Sequence, residues 1–268
     1  MAHRMSSPSL FASWIWQDDR FVSAVSVPLT DRGFRYGMSV FESLRVDRGE
    51  VEFFDQHAAR LVQAAAEREL ALEEAALPKI AELFGARSGF ARIYLTAGDG
   101  APAAAAVSRL YVFIEDRLPP GEDDVWEIGL HDESYHAPFG GLKTANYWFN
   151  CDAFARAHRQ GFDEALLFND RAELVSACMA NVFLVRDDRI LTPPRSSGAR
   201  AGVIREWVIG RRQVEERRLR REDVLQADEI FLTNSWIGVR PVATLEGRAL
   251  SHRFIAPRLA AELAARRG

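Results

Sequence analysis

The chain has 268 residues, enough to bury a substantial core and to divide into two α/β lobes. Its 48% hydrophobic and 27% charged residues are the balance of an ordinary soluble globular protein. A formal net charge of −4 argues against a nucleic-acid partner despite local arginine clusters such as EERRLRRED. No uninterrupted apolar run approaches the roughly 20 residues of a membrane span, and the N-terminal stretch lacks the apolar centre of a secretory signal. Cys151 and Cys178 form no CxxC pair, which fits a reducing compartment and a cytoplasmic location. The six histidines show no HxH or HExxH spacing, so no metal site is expected.

In chain order, Ser39 to Val46 alternates as a strand, with Val40, Glu42, Leu44 and Val46 on one side and Phe41, Ser43 and Arg45 on the other. The sequence DRGE then turns the chain into a second strand, VEFF. Asp55 is the expected cap of a helix that turns Leu61, Ala65 and Leu70 to the core, and a further helix spans 77–84. Strands follow at ARIYLTA and SRLYVFIED, separated by an alanine-rich loop, and close a first lobe over residues 1–116. Two prolines, a glycine and three acids make 117–124 a linker, with a second lobe over 125–268. That lobe is expected to hold a strand VWEIGLH, a helix over 146–160, and strands EALLFN, AELVSA, NVFLVR and RILTP. Two short helices, strands EIFLTN and RPVATL, and a C-terminal helix from about residue 254 complete it. Many hairpins in a mixed order predict an α/β (α+β) fold rather than a parallel doubly wound sheet.

Of the 34 basic residues only Lys79 and Lys143 are lysines. Lys79 follows a proline at a helix start and reads as solvated surface. Lys143 lies among glycines, aromatics and amides in GGLKTANYWFN. It is either a second surface lysine or an amine retained because a guanidinium cannot lose its proton and attack a carbonyl.

Four stretches in order, YGMSVFESLR, HAARL, GLKTANY and ACMANVFLV with TPPRSSGARAGVIR, resemble the class IV (fold type IV) pyridoxal-phosphate-dependent enzymes. That family includes branched-chain and D-amino acid aminotransferases and 4-amino-4-deoxychorismate lyase, and the resemblance runs from about Phe11 to Val242. It implies a two-lobe fold with pyridoxal 5'-phosphate in the interlobe cleft, an amino acid or oxo acid as small-molecule substrate, and a homodimer. Lys143 matches the Schiff-base lysine, whose freed amine then serves as general acid and base. Tyr147, four residues on and one turn away if the helix has begun, matches the tyrosine that hydrogen-bonds the cofactor's phenolic oxygen. Arg60 matches the phosphate arginine, joined by the backbone N–H groups of Val203 and Ile204 at a helix start and by Ser235 in a last loop. Tyr36, Arg45 and Arg92 are candidates for the substrate pocket, Arg92 toward a carboxylate.

The family usually carries a glutamate five residues before the Asn181-Val182-Phe183 triplet, where this chain has Ser176. A carboxylate there keeps the pyridine nitrogen protonated and the ring a strong electron sink; a hydroxyl leaves the ring neutral. On a regular strand Glu173 faces away from Ser176, and only a bulge changes that. Three readings follow: an aminotransferase with a weakened sink, an aminodeoxychorismate-type lyase, or a catalytically impaired cofactor-binding homologue.

Overall fold

Strand-forming alternation and amphipathic helices sort the chain into two α/β units, described in a computed structural model over residues 9–24, 26–105, 107–121, 124–251 and 254–266. The first unit comprises 1–119 together with 142–146, the second 120–141 and 147–268.

The first unit contains β1 (Ser9–Gln17), β2 (Arg20–Ser23), α1 (Arg32–Tyr36), β3 (Ser39–Asp47), β4 (Glu50–Val51), α2 (Phe54–Glu67), α3 (Leu77–Ile80), β5 (Gly89–Thr96) and β6 (Arg109–Asp116). Its strands form one antiparallel sheet in the order β2-β1-β6-β5-β3-β4. Val40, Leu44 and Val46 of β3 pack with Leu61, Ala64 and Ala65 of α2 and with Ile80 and Phe84. Each fully buried aliphatic side chain there contributes about 1.5–3 kcal/mol. Sequence alternation placed Val40, Leu44 and Val46 on the buried side of β3, and helical spacing did so for Leu61 and Ala65, but the reading missed β1, β2 and α1. It also stretched the second strand over Phe53 and Phe54: helix α2 already begins at Phe54, its N-cap is Phe53 with φ 54°, and no side chain caps it. Asp55 therefore lies in the first turn, where its charge favours the helix dipole without capping. Buried Arg32 donates to the carbonyls of Ala97, Gly98, Ala101, Ala104 and Ala105, which is how an alanine-rich loop acquires a fixed course.

The second unit contains β7 (Trp126–Leu130), α4 (Trp148–Arg159), β8 (Glu164–Phe168), β9 (Leu174–Ala177), β10 (Asn181–Arg186), β11 (Arg189–Thr192), α5 (Val203–Ile209), β12 (Val214–Glu216), α6 (Arg221–Leu225), β13 (Glu229–Asn234), β14 (Gly238–Leu245), β15 (Arg248–Ala249) and α7 (Ile255–Ala265). The sheet runs β12-β11-β10-β13-β14-β7-β8-β9, with β15 paired to β14. It is mixed: β11–β12, β14–β7 and β7–β8 are parallel, the other pairs antiparallel.

Two boundaries differ from the sequence reading. Part of the predicted linker is tied to the second unit, because buried Arg240 donates to the carbonyls of Pro120, Gly121 and Asp124; residues 122 and 123 lie outside the described residues. The lysine stretch, expected in the second lobe, belongs to the first unit. Phe41 N donates to Lys143 O at 2.8 Å, Ala145 N donates to Ser39 O at 3.1 Å, and Thr144 bridges Val40 antiparallel. Backbone pairing to the edge of β3, a non-local contact, overrides proximity along the chain.

Candidate active site

In the first unit the Lys143 ammonium sits 4.0 Å from the centroid of the Phe41 ring. Phe41 stacks on Tyr94 at 5.1 Å and Tyr94 on Phe113 at 6.0 Å, giving an aromatic ladder across β3, β5 and β6. Arg92 shares this face: its Nη1 donates to Tyr94 Oη at 3.0 Å, its guanidinium lies 5.5 Å from the Phe41 ring, and its buried Nε has no hydrogen-bond partner. Lys143 and Arg92 thus share one ring, Phe41, a contact of the kind cation–π attraction favours.

The opposite side of β3 carries a charge cluster. Glu42 is buried at 3% exposure in the apolar stripe. Its Oε2 lies 2.7 Å from His57 Nδ1 and its Oε1 3.2 Å from Arg60 Nη2. Burial works against the Glu42 carboxylate, yet Arg60, the His57 hydrogen bond and the Lys143 charge together hold its pKa below the ordinary value. Residues 57 and 60 are one turn apart on α2, so one helix face presents both partners. The sequence reading named Arg60 as a candidate and did not name the carboxylate it pairs with. The signal was there: a glutamate inside a Val-Leu-Val stripe must be paired to be buried.

The remaining first-unit candidates are less available. Arg45 is ion-paired with Glu52 at 3.1 Å. Tyr36 is exposed and lies beneath the Arg35 guanidinium, along an open groove of about 590 Å³ that does not include Lys143. Gly37 ends α1 with φ 67°, and a Cβ there would stand 2.6 Å from Asn146 Oδ1. A glycine is what lets the lysine segment dock on α1.

In the second unit Tyr147 is the N-cap residue of α4, so the helical spacing expected between Lys143 and Tyr147 is not realised: Lys143 pairs with a strand and α4 starts at Trp148. The Tyr147 hydroxyl accepts a hydrogen bond from Arg200 Nη1, and the guanidinium stacks 4.5 Å from the ring. Ser176 lies on β9 opposite Leu167 of β8, partly buried. A register shift separates this pair from Phe168–Leu174, the bulge that a reorientation of Glu173 requires. Glu173 is nonetheless committed elsewhere, since its Oε2 accepts from Asn169, Ser197 and Arg171 at 3.0–3.1 Å. These hydrogen bonds, Arg171 foremost, hold its carboxyl down at about 2.

The turn after Ser176 is fixed from three sides. Glu164 Oε1 accepts from Met179 N at 2.9 Å, Asn150 Nδ2 donates to Cys178 O at 2.7 Å, and Asn234 Nδ2 donates to Met179 O at 3.0 Å. Glu164 is buried, which pushes its pKa up to about 8 against the amide hydrogen bonds. The same Asn234 accepts from Trp236 and Ile237 N at 2.8 Å through Oδ1 and shapes the β13–β14 turn that holds Ser235. Helix α5, which begins with Val203 and Ile204, has Gly202 as its N-cap and no side-chain cap, so its first amides have no partner within the helix. A Cβ at 202 would lie 2.1 Å from Asn181 Oδ1, whose Nδ2 donates to Arg200 O at 2.8 Å. Among the described residues no cluster of three His, Cys, Asp or Glu is placed to hold a metal ion, and no helix is long and apolar enough to cross a membrane.

A family model described as amino-transferase class IV matches residues 39–245. Branched-chain-amino-acid aminotransferase 6 of Arabidopsis thaliana is 30% identical, over 78% of this chain and 68% of that protein. Among solved structures, 4-amino-4-deoxychorismate lyase from Pseudomonas aeruginosa superposes with a TM-score of 0.83 at 25% identity, covering 94% of this chain and 98% of that one. The branched-chain amino acid aminotransferase of T.th., solved with pyridoxamine 5'-phosphate, gives a TM-score of 0.83 at 22% identity, over 96% and 94% of the two chains.

Proposed function

The chain belongs to the class IV aminotransferase family, and from that premise we propose that it is a pyridoxal 5'-phosphate-dependent aminotransferase that moves an amino group between an amino acid and a 2-oxo acid. The observation that carries the reading is the fixed Lys143 segment, which holds one primary amine over the Phe41 ring with Arg92 beside the same ring. The donor types suit the cofactor in each unit taken by itself: the first offers an amine for its carbonyl carbon and the Arg60 guanidinium for a phosphate, the second the first amides of α5 and hydroxyls at Tyr147, Ser176 and Ser235. When bound, the cofactor supplies an electron sink for the bond broken at the substrate Cα.

In this reading Lys143 Nζ would carry the proton between the substrate Cα and the cofactor's C4′, which a neutral amine can do and a guanidinium cannot. Glu42 holds Arg60 in place, and Arg60 supports a dianionic phosphate by its planar fork. Arg92, with an unpartnered Nε, offers a donor to a substrate carboxylate. Ser176 favours a second reading: with a hydroxyl in place of a carboxylate the sink is weaker, which elimination of pyruvate from aminodeoxychorismate tolerates. A homodimer is the expected assembly, supported by exposed Leu29, Phe34 and Met38 around α1. A cytoplasmic location is supported by two free cysteines.

The test is the absorbance spectrum of the purified protein with pyridoxal phosphate, before and after a panel of L- and D-amino acids. Conversion to the pyridoxamine form by any donor establishes the aminotransferase. A chromophore that no donor converts, with 4-aminobenzoate released from aminodeoxychorismate, establishes the lyase. Absence of a chromophore in wild type, or its survival in Lys143→Arg, refutes the assignment of Lys143.

A further inference from the structure

Arg200 is set apart from the other arginines of the second unit by what it touches. Arg171, Arg205 and Arg217 meet carboxylates, whereas Arg200 meets two phenols. Its backbone is fixed, because its carbonyl accepts from Asn181 Nδ2 at 2.8 Å and from Gly202 N at 2.9 Å. The side chain lies over the Tyr147 ring, with Nη1 donating to Tyr147 Oη and Nη2 to Tyr135 Oη at 3.3 Å, while Nε is buried with no partner.

A guanidinium has five donors and no acceptor. Both phenol oxygens must therefore accept from it, and each hydroxyl proton is turned away from Arg200. We propose that Arg200 is a positioning residue that makes the Tyr147 hydroxyl a directed donor, aimed at an anionic oxygen of the bound cofactor. The inference rests on the reading that Tyr147 meets the cofactor's phenolic oxygen, and adds what decides the direction of that hydrogen bond. A charge-assisted bond into the phenol strengthens the donor on its far side. Tyr135 completes the clamp: burial raises its pKa against the opposing Arg200 charge, so it stays a neutral acceptor and holds the second arm of the fork.

Stabilising negative charge on the phenolic oxygen weakens proton binding at the nitrogen that joins Lys143 to the cofactor. Loss of Arg200 should therefore raise the pH at which the loaded protein's chromophore changes band. The experiment is a pH titration of that chromophore in wild type, Arg200→Leu, Arg200→Lys, Tyr147→Phe and the Arg200→Leu/Tyr147→Phe double variant, with borohydride fixation and peptide mapping to show where the cofactor is attached. Arg200→Leu should move the midpoint up by about one pH unit. Arg200→Lys, which keeps charge and loses the fork, should move it part of the way. The double variant should move it no further than Tyr147→Phe alone, because Arg200 acts through that hydroxyl. An unmoved midpoint in Arg200→Leu and Arg200→Lys, or additive shifts in the double variant, overturns the proposal. Wild type with no cofactor fixed on Lys143 refutes instead the reading beneath it, so the two failures are distinguishable. Should Arg200→Leu not fold, the Arg200→Lys titration alone decides.

Discussion

Replacing Glu164 by Gln should flatten the stability of the protein against pH. The Glu164 carboxyl is 1% exposed, and burial raises its pKa from 4.5 to about 8. Below the lower value both folded and unfolded states hold the proton and nothing is lost. Between the two values the unfolded chain has released its proton while the folded one keeps it, so stability falls as pH rises, at about 1.4 kcal/mol per pH unit for one proton. The full span corresponds to about 5 kcal/mol, an upper bound, because effective interior dielectrics exceed that of a dry medium; about 2–5 kcal/mol is the working range. Glutamine keeps an oxygen for the Met179 amide and has no proton to lose, so the pH-dependent part disappears. The assay is chemical denaturation of wild type and Glu164→Gln at about pH 5 and about pH 9, taking the difference of the two differences so that all other titrations cancel. The variant should gain on wild type by about 2–4 kcal/mol over that interval, since the part of the loss below pH 5 lies outside it. Parallel behaviour of the two proteins would show that the folded carboxyl titrates near its ordinary value, and that the buried turn at 177–180 is open to water.

Glu42→Gln should destabilise the first unit by about 3 kcal/mol, because it leaves Arg60 without its buried counter-ion and weakens the hydrogen bond to His57; it should also weaken cofactor binding, and thermal unfolding with and without pyridoxal phosphate reads both. Gly202→Ala sets a Cβ against Asn181 Oδ1 and should cost about 1–3 kcal/mol in denaturant titration; a neutral result would mean the β10–α5 approach is looser than the structure has it. Ser176→Glu, if Ser176 faces the pyridine nitrogen, should speed transamination in single-turnover kinetics by strengthening the sink; unchanged or slower turnover would place Ser176 elsewhere or make another step limiting.

Much was determined by the sequence on its own. Alternation in SVFESLRV sorts Val40, Leu44 and Val46 from Phe41, Ser43 and Arg45, because a period of two is a local property of extended backbone. Lys143, one of two lysines in an arginine-rich chain, stands out as a candidate amine, since the difference between lysine and arginine is chemical and needs no coordinates. Family membership was legible for a similar reason: ordered motifs are read along the chain.

What only tertiary structure decided involves partners distant in sequence. The lysine segment joins the first unit because its backbone pairs with β3, about a hundred residues earlier, and no local propensity encodes that pairing. Glu42 finds Arg60 and His57 across a strand-to-helix packing, and Arg200 reaches Tyr147 across 53 residues. The helical spacing expected between Lys143 and Tyr147 failed on the same ground. Hydrogen bonds to β3 compete with helix formation at that point, and the strand edge satisfies the backbone of the lysine segment instead.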